Sequence, residues 1–158
     1  MEMLAPGSFE HVAVTIETII AVENIAAIIA AGDQLTEVTI GRTDLTASYG
    51  GSDVESDRTT QMVKLVAKSA KNKGLMVTMG GSINKKTQAL LAGDSELRGL
   101  IDFIETRKVV MTIDQFMEPE SLRNALEVES QLLEMRAAIA ERQLNAINQR
   151  RASIKSRL

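Results

Sequence analysis

The fold is decided by residues 12–41, which read VAVTIETIIAVENIAAIIAAGDQLTEVTIG. The run at 12–16 is short and rich in β-branched residues, which predicts a strand. From Thr18 to Gly32 the apolar residues recur at helical spacing, and a second β-branched run then ends at Gly41. Strand, helix and strand in this order are typical of a parallel βαβ unit.

The same alternation continues along the chain. The further predicted elements are a loop at 44–56, a helix at 57–73 ended by Gly74, a strand at 75–80, a helix at 83–93 and a strand at 99–104. Residues 105–116 fit either a strand or a helical turn. The pattern therefore predicts an α/β fold with about four parallel strands.

A long helix is predicted from Glu118 nearly to Leu158, because Pro119 suits a first helical turn and no later residue is glycine or proline. Apolar residues recur on it every seven positions, at Leu126, Leu133, Ala140, Ile147 and Ile154. The predicted helix divides the chain into a domain at 1–116 and a long C-terminal helix at 117–158. Because such a helix overhangs a domain of this size, we expect an oligomer contact; the alternative is that it covers its own sheet.

Composition narrows the class of protein. With 158 residues, 44% of them apolar and 25% charged, the chain is long enough for one core. The absence of cysteine excludes disulfides and thiolate metal sites. A net charge of -3 with one Tyr and no Trp gives no basis for binding nucleic acid. Residues 1–12 show no leader pattern and no apolar stretch is long enough for a bilayer, so we expect no membrane partner and a cytoplasmic location.

Two carboxylates hold equivalent places in the βαβ unit. Glu17 directly follows the first strand, and Asp44 comes just after the second. Carboxyl ends of neighbouring parallel strands meet at the edge where α/β folds bind ligands. Converging carboxylates repel, and their oxygen atoms suit Mg²⁺ or Mn²⁺ better than Zn²⁺. The alternative is that Asp44 is an N-cap or turn acceptor and Glu17 a helix-start charge.

The same region resembles a known enzyme family. Residues 16–50, IETIIAVENIAAIIAAGDQLTEVTIGRTDLTASYG, have the form I-E-T, A-x-x-N, I-G-x-x-D-L and a nearby S-x-G. This form resembles the HpcH/HpaI aldolase and citrate lyase beta-subunit family. VTMGGSI at 77–83 and FIETRKVVM at 103–111 look like the following strands of that family. The resemblance covers roughly residues 12–135.

The resemblance implies a phosphoenolpyruvate/pyruvate-type (β/α)₈ TIM barrel, of which this chain carries the C-terminal half. It implies that Glu17 and Asp44 ligate Mg²⁺ or Mn²⁺, which chelates a 2-oxo acid and stabilises the enolate formed when a carbon-carbon bond is made or broken. The substrate contacts that it implies lie at Thr15, Gly41, Arg42 and Thr43, with backbone N–H groups of Gly41 and Arg42 near the substrate carboxylate.

The sequence departs from the family at several points. Thr15 stands where many of these aldolases carry Gln, and Arg42 where many carry Pro. The chain begins where the resemblance implies the fifth barrel strand. The first four strands, the family's catalytic Arg and its His-based acid/base groups are therefore expected upstream, and we expect catalysis only with a complementing N-terminal half.

Three further features could take part in chemistry. Glu105 and Arg107 follow the fourth strand, where they form an ion pair or Arg107 acts as the catalytic residue that binds a substrate carboxylate. His11, ahead of the first strand, is expected to be a solvated loop residue rather than a base. Gly80 and Gly81 are expected to form a tight strand-to-helix turn rather than an anion-binding loop.

The sequence thus predicts a divalent-metal-dependent aldolase or lyase-like protein that acts on carbon-carbon bonds of 2-oxo acids. It is expected to be incomplete alone and to associate with an N-terminal half or with further copies of itself. The alternative is a noncatalytic assembly or regulatory subunit derived from such an enzyme, which uses the long C-terminal helix to associate.

Overall fold

A computed structural model describes residues 9–157 and has an α/β fold. The strands of this part are β1 (Ala13–Ile16), β2 (Glu37–Gly41), β3 (Met76–Gly80), β4 (Phe103–Glu105) and β5 (Val110–Thr112). The helices are α1 (Ile19–Glu23), α2 (Ile25–Ala31), α3 (Arg42–Ser48), α4 (Asp57–Lys71), α5 (Lys85–Gly93), α6 (Ser95–Leu100), α7 (Ile113–Met117) and α8 (Ser121–Lys155). Residues 1–8, most of the N-terminal segment in which a leader pattern was sought, lie outside the described residues. Leu158, at the end of the predicted C-terminal helix, also lies outside them.

The strands lie in the sheet in the same order as in the chain. Strands β1 to β4 are parallel, and β5 runs antiparallel to β4. The predicted α/β class and its parallel strands are confirmed. Because right-handed crossovers between strands in sequential order all pass over one face, the helices of such a sheet collect on that face.

The two faces of the sheet differ in chemistry. Residues such as Ile40, Val77 and Ile104 are fully buried and belong to the apolar core. The alternate positions form a row in register, with Thr15 beside Thr39, Thr39 beside Thr78, and Thr78 beside Phe103. The side that carries this threonine row is therefore the polar face of the sheet.

Two predicted elements in the first half of the chain are wrong in detail. The single helix expected at 18–32 is divided at Asn24, whose side-chain amide donates to the carbonyl of Ile20 and ends α1. The loop expected at 44–56 begins inside α3. The chain has no glycine between Gly41 and Gly50, so a short helix fits between these two residues. Asp44 lies in the first turn of α3, where its negative charge complements the helix dipole.

The second half shows similar shifts. The strand expected at 99–104 begins only at Phe103, because Gly99 and Leu100 belong to α6. Residues 105–116 contain both a strand, β5, and a helical turn, α7. The antiparallel direction of β5 was not predicted. Pro119 precedes α8 rather than lying in its first turn.

Asp94 fixes the start of α6. Its carboxylate accepts a hydrogen bond from the backbone of Leu97 at 2.9 Å and pairs with Lys64 at 2.7 Å. The bond from Leu97, followed by the pairing with Lys64, lowers the pKa of Asp94. Because the pKa of this carboxyl group is lower in the folded than in the unfolded state, the group stabilises the fold at pH values above its unfolded pKa. This stabilisation is lost as the pH falls through the folded pKa.

We therefore expect Asp94→Ala to lower the free energy of unfolding by about 1 kcal/mol at pH 7, the usual worth of an N-cap. The difference from the parent should shrink below about pH 4, where the unfolded carboxyl takes up its proton. Urea unfolding at several pH values measures it. Asp94→Asn keeps a capping side chain and should lose less; a deficit of the alanine variant that stays constant down to pH 2 contradicts this role.

Helix α8 extends well beyond the sheet. Leu122 and Ala125 are buried, but every residue from 130 to 152 is exposed, a length of about 35 Å at the standard helical rise. The predicted long helix that extends beyond the domain is confirmed. The alternative, in which this helix covers the protein's own sheet, is wrong. The predicted division between residues 116 and 117 falls inside α7. Among residues 9–157, no helix combines the length and the apolar content needed to cross a membrane.

Candidate functional site

A cavity of about 580 Å³ lies at the carboxyl ends of β1 to β4. Its lining contains every predicted site residue except Arg42, namely Thr15, Glu17, Gly41, Thr43, Asp44 and Arg107. The remaining lining residues are Thr39, Gly80, Gly81, Ser82, Ile83, Glu105, Thr106, Leu126 and Glu129. Residues that are far apart in the chain are thus brought together where parallel α/β sheets bind ligands.

Two glycines on adjacent strands form the floor of this cavity. Gly41 and Gly80 are paired in register, and each leaves space for a carboxylate from a flanking strand. A Cβ atom at Gly41 would lie 2.6 Å from Oε1 of Glu17, and one at Gly80 would lie 3.6 Å from Oε2 of Glu105. Glu17 therefore lies directly over Gly41, and a side chain at that glycine would displace it.

The carboxylates that face the cavity have no partner among residues 9–157. Within this part of the chain, the side chains of Glu17, Asp44 and Glu105 make no hydrogen bond and no ion pair. The N-cap or turn-acceptor alternative is wrong for Asp44, whereas Glu17 directly precedes Thr18, the N-cap of α1, which is compatible with its alternative role as a helix-start charge. Thr18 caps α1 through its hydroxyl, and Gly41 occupies the N-cap position of α3, so Asp44 is a first-turn residue whose carboxylate is not used as a cap.

Arg42 is buried beneath the cavity and is only 1% exposed. Its guanidinium donates to the carbonyl of Gly80 at 3.3 Å, to that of Gly81 at 2.8 Å and to the Thr87 hydroxyl at 3.2 Å. It also pairs with Glu55 at 3.4 Å. Burial lowers the pKa of Arg42, and the attraction to Glu55 opposes that shift. The side chain fixes the end of β3, so the predicted substrate contact of Arg42 is confined to its backbone N–H.

The turn after β3 packs tightly against the start of α3. Gly81 has a φ of +89°, and a Cβ there would lie 2.6 Å from the backbone nitrogen of Thr43. The hydroxyls of Thr43 and Ser82 are 3.0 Å apart. The predicted strand-to-helix turn is confirmed, and it holds two walls of the cavity together.

Arg107 lies in the turn between β4 and β5. Thr106 donates to the carbonyl of Val109 and closes this turn, which leaves Arg107 exposed at the cavity rim. Within the described part of the chain, no ion pair joins Arg107 to Glu105, so that alternative is wrong. His11 is exposed and precedes β1, at the opposite edge of the sheet, as expected for a loop residue.

Sequence reasoning missed the contribution of α8 to the cavity. Leu126 and Glu129 line its wall, just beyond the buried residues Leu122 and Ala125. The spacing of Leu122, Ala125 and Glu129 places them on one side of the helix, which was the available signal.

The acidic residues do not form a three-ligand cluster. No group of three or more His, Cys, Asp or Glu side chains within residues 9–157 is arranged to hold an ion. An ion held here would keep water in several coordination positions, as Mg²⁺ commonly does with one or two carboxylates. The chain matches no family model, no curated protein and no solved structure.

Proposed function

We propose that the chain carries the metal half-site of an aldolase or lyase-like enzyme that acts on 2-oxo acids. One observation carries the proposal: Glu17 and Asp44, both without a partner in residues 9–157, line one cavity at the carboxyl ends of parallel strands. Uncompensated carboxylates in one concave site repel each other, and a divalent cation relieves that repulsion. The resemblance of residues 16–50 to the HpcH/HpaI aldolase and citrate lyase beta-subunit family supports the same assignment.

The donor set fits Mg²⁺ or Mn²⁺. Glu17 and Asp44 would supply carboxylate oxygens, and the cavity has room for water and for a small oxo acid. When bound, such an ion supplies Lewis-acid stabilisation of the negative charge that develops on the substrate's oxo oxygen. The missing Cβ of Gly41 leaves the space that the Glu17 carboxylate occupies.

The protein's own groups have distinct tasks in this proposal. The exposed guanidinium of Arg107 pairs with a substrate carboxylate at the rim, since no partner within residues 9–157 occupies it. Backbone N–H groups of Gly41 and Arg42 hold the carboxylate from the other side, with Thr15 and Thr43 as polar wall residues. His11, the chain's one histidine, lies outside the cavity, so proton transfer there relies on a carboxylate or on a partner chain.

We further propose that the sheet is half of a (β/α)₈ barrel. Three features support this: parallel strands in sequential order, a core on one face, and a polar threonine row on the other. A closed barrel of this type uses one face of its sheet as its interior, here the face with the threonine row, and the carboxyl ends of its strands as its active site. An N-terminal half from another chain would add to the edge formed by β1, and to close the barrel it would have to displace β5 from the outer edge of β4.

Metal binding is the first test. In calorimetric titrations with Mn²⁺, we expect one site per chain, and we expect Glu17→Gln and Asp44→Asn each to reduce its affinity below detection. Gly41→Ala keeps both ligands but pushes Glu17 aside, so it should weaken Mn²⁺ roughly 10- to 100-fold, the usual cost of disturbing a ligand's support.

Gly99→Ala and Asp33→Asn are matched controls. A Cβ at Gly99 meets no atom within 4 Å, and Asp33 is an exposed carboxylate outside the cavity. Both should bind Mn²⁺ like the parent. Unchanged binding in Glu17→Gln and Asp44→Asn would exclude the assigned site, whereas pyruvate that binds equally well with and without Mn²⁺ would exclude chelation of the oxo acid by the metal.

A noncatalytic assembly subunit is the second candidate, and the exposed apolar residues of α8 favour it. The two functions differ in solvent exchange of the methyl protons of pyruvate, which follows enolisation and is measured by NMR in D₂O with Mg²⁺. Exchange that is lost in Glu17→Gln supports the enzyme. Metal binding without exchange, with or without added partner protein, supports the subunit.

A further inference from the structure

The exposed part of α8 carries two apolar stripes. The first comprises Leu126, Leu133, Ala140, Ile147 and Ile154. The second, which sequence reasoning missed, comprises Val128, Leu132, Met135 and Ile139. Residues two apart, such as Leu126 and Val128, point to opposite sides of a helix, so these stripes lie on different faces. Large side chains on both stripes remain in water, with Ile147 of the first 57% exposed and Met135 of the second 62% exposed.

Charge is segregated along the same helix. Residues 121–141 contain four glutamates and two arginines, whereas residues 142–155 contain three arginines, one lysine and no acidic residue. The helix dipole does not account for this separation, because its influence falls off within one turn of each end. The first turn of α8 holds no acidic residue, and the last turn holds only Lys155 as a basic one.

We propose that α8 pairs in antiparallel orientation with α8 of a second copy of this chain. With Ala140 near the centre of the pair, Glu127 and Glu129 of one copy lie opposite the segment of the other copy that contains Arg150 and Arg151. Parallel pairing would place like charges together along the whole contact. The first apolar stripe supplies the attraction between the two helices, and the order of acidic and basic segments along each helix selects the antiparallel orientation.

The size of the contact sets its strength. The exposed stretch at 130–152 is about 35 Å long and a helix is about 10 Å wide, so the pair covers roughly 700 Å² in total, which is below the range of stable interfaces and in that of weak, transient ones. We therefore expect a reversible dimer with a dissociation constant in the micromolar range. This pairing does not depend on the proposed metal site, and Glu17→Gln should dimerise like the parent.

Sedimentation of the full chain at different salt concentrations tests the direction of pairing. Attraction between unlike charges is screened by salt, so the antiparallel dimer should weaken between about 0.05 M and 0.5 M NaCl. A dimer that strengthens with salt would indicate parallel pairing and overturn the proposal. A chain that stays monomeric at all concentrations would also overturn it.

Cysteine cross-linking provides a geometric test, because the chain contains no cysteine of its own. Ser130→Cys should form disulfides when mixed with Ile147→Cys or Ile154→Cys, positions one heptad apart that cover both registers of the stripe. Ser130→Cys alone should form few. Efficient disulfides between two copies of Ser130→Cys would require either parallel helices or an antiparallel pair centred on residue 130, and either would contradict the pairing centred near Ala140.

Charge reversal completes the test. Arg150→Glu combined with Arg151→Glu should weaken the dimer about ten-fold, since it places acidic segments opposite each other. Glu127→Arg combined with Glu129→Arg should have the same effect for the opposite reason. An equimolar mixture of the two double variants should recover the affinity of the parent. Reversal variants that dimerise like the parent would show that charge does not select the partner.

Discussion

Replacing Arg42 by methionine is expected to lower the free energy of unfolding by about 3 to 5 kcal/mol, the cost of breaking a buried ion pair on one side. The variant leaves the carbonyls of Gly80 and Gly81 without a donor and leaves Glu55, which is only 12% exposed, without its cation. Methionine fills most of the space but donates no hydrogen bond. Urea unfolding followed by circular dichroism measures the loss.

Two further variants separate the causes of this loss. Adding Glu55→Gln to Arg42→Met should recover part of the stability, because it removes the uncompensated charge and retains an acceptor for the Thr87 hydroxyl. Arg98→Met is the matched control, since the Arg98 side chain is 44% exposed and its ion pair is with the exposed Asp114. It should cost less than about 1 kcal/mol. Equal losses in Arg42→Met and Arg98→Met would refute the anchoring role.

Replacing Gly81 by alanine is expected to have the second large effect. The φ of +89° at Gly81 costs an L-residue about 1 to 2 kcal/mol. The new Cβ would also meet backbone nitrogens, Thr43 at 2.6 Å and Arg42 at 2.8 Å, which cannot move aside as a flexible side chain can. We expect a total loss of about 3 kcal/mol or more, together with weaker Mn²⁺ binding because α3 carries Asp44.

Gly74→Ala separates strain from collision. Gly74 has a φ of +73°, but a Cβ there would meet no atom within 4 Å. This variant should therefore lose only the conformational part, about 1 kcal/mol, and should bind Mn²⁺ like the parent. The difference between Gly81→Ala and Gly74→Ala measures the close approach of the β3 turn to α3. Equal losses in the two variants would mean that this approach does not constrain the protein.

The convergence of Glu17 and Asp44 on one cavity could be predicted because it follows from topology. Each residue lies just beyond a β-branched run, and parallel strands direct such positions to one edge. The same logic placed Arg107 at the rim. Helical periodicity likewise predicted α8 and its overhang, since the absence of glycine and proline can be read directly from the sequence.

Burial of Arg42 could not be predicted, because it depends on partners that are distant in the chain. Glu55 and Thr87 approach Arg42 only after α4 and α5 have packed, and the carbonyls of Gly80 and Gly81 have no signature in the sequence. The break at Asn24 was missed for a related reason. A side chain that bonds to its own backbone competes with helix continuation without changing the apolar periodicity.

The reversed direction of β5 limits how far this sheet can grow. At one side the sheet ends in a strand of three residues, Val110–Thr112, which offers a new strand few backbone groups. At the other side, β1 of four residues pairs with β2, and within residues 9–157 no strand pairs with its outer edge. Short edge strands offer few groups to a further chain and so oppose propagation into fibres. A parallel strand from a complementing half can therefore reach β4 only if β5 is displaced, so closure of a barrel would be coupled to the release of this short strand.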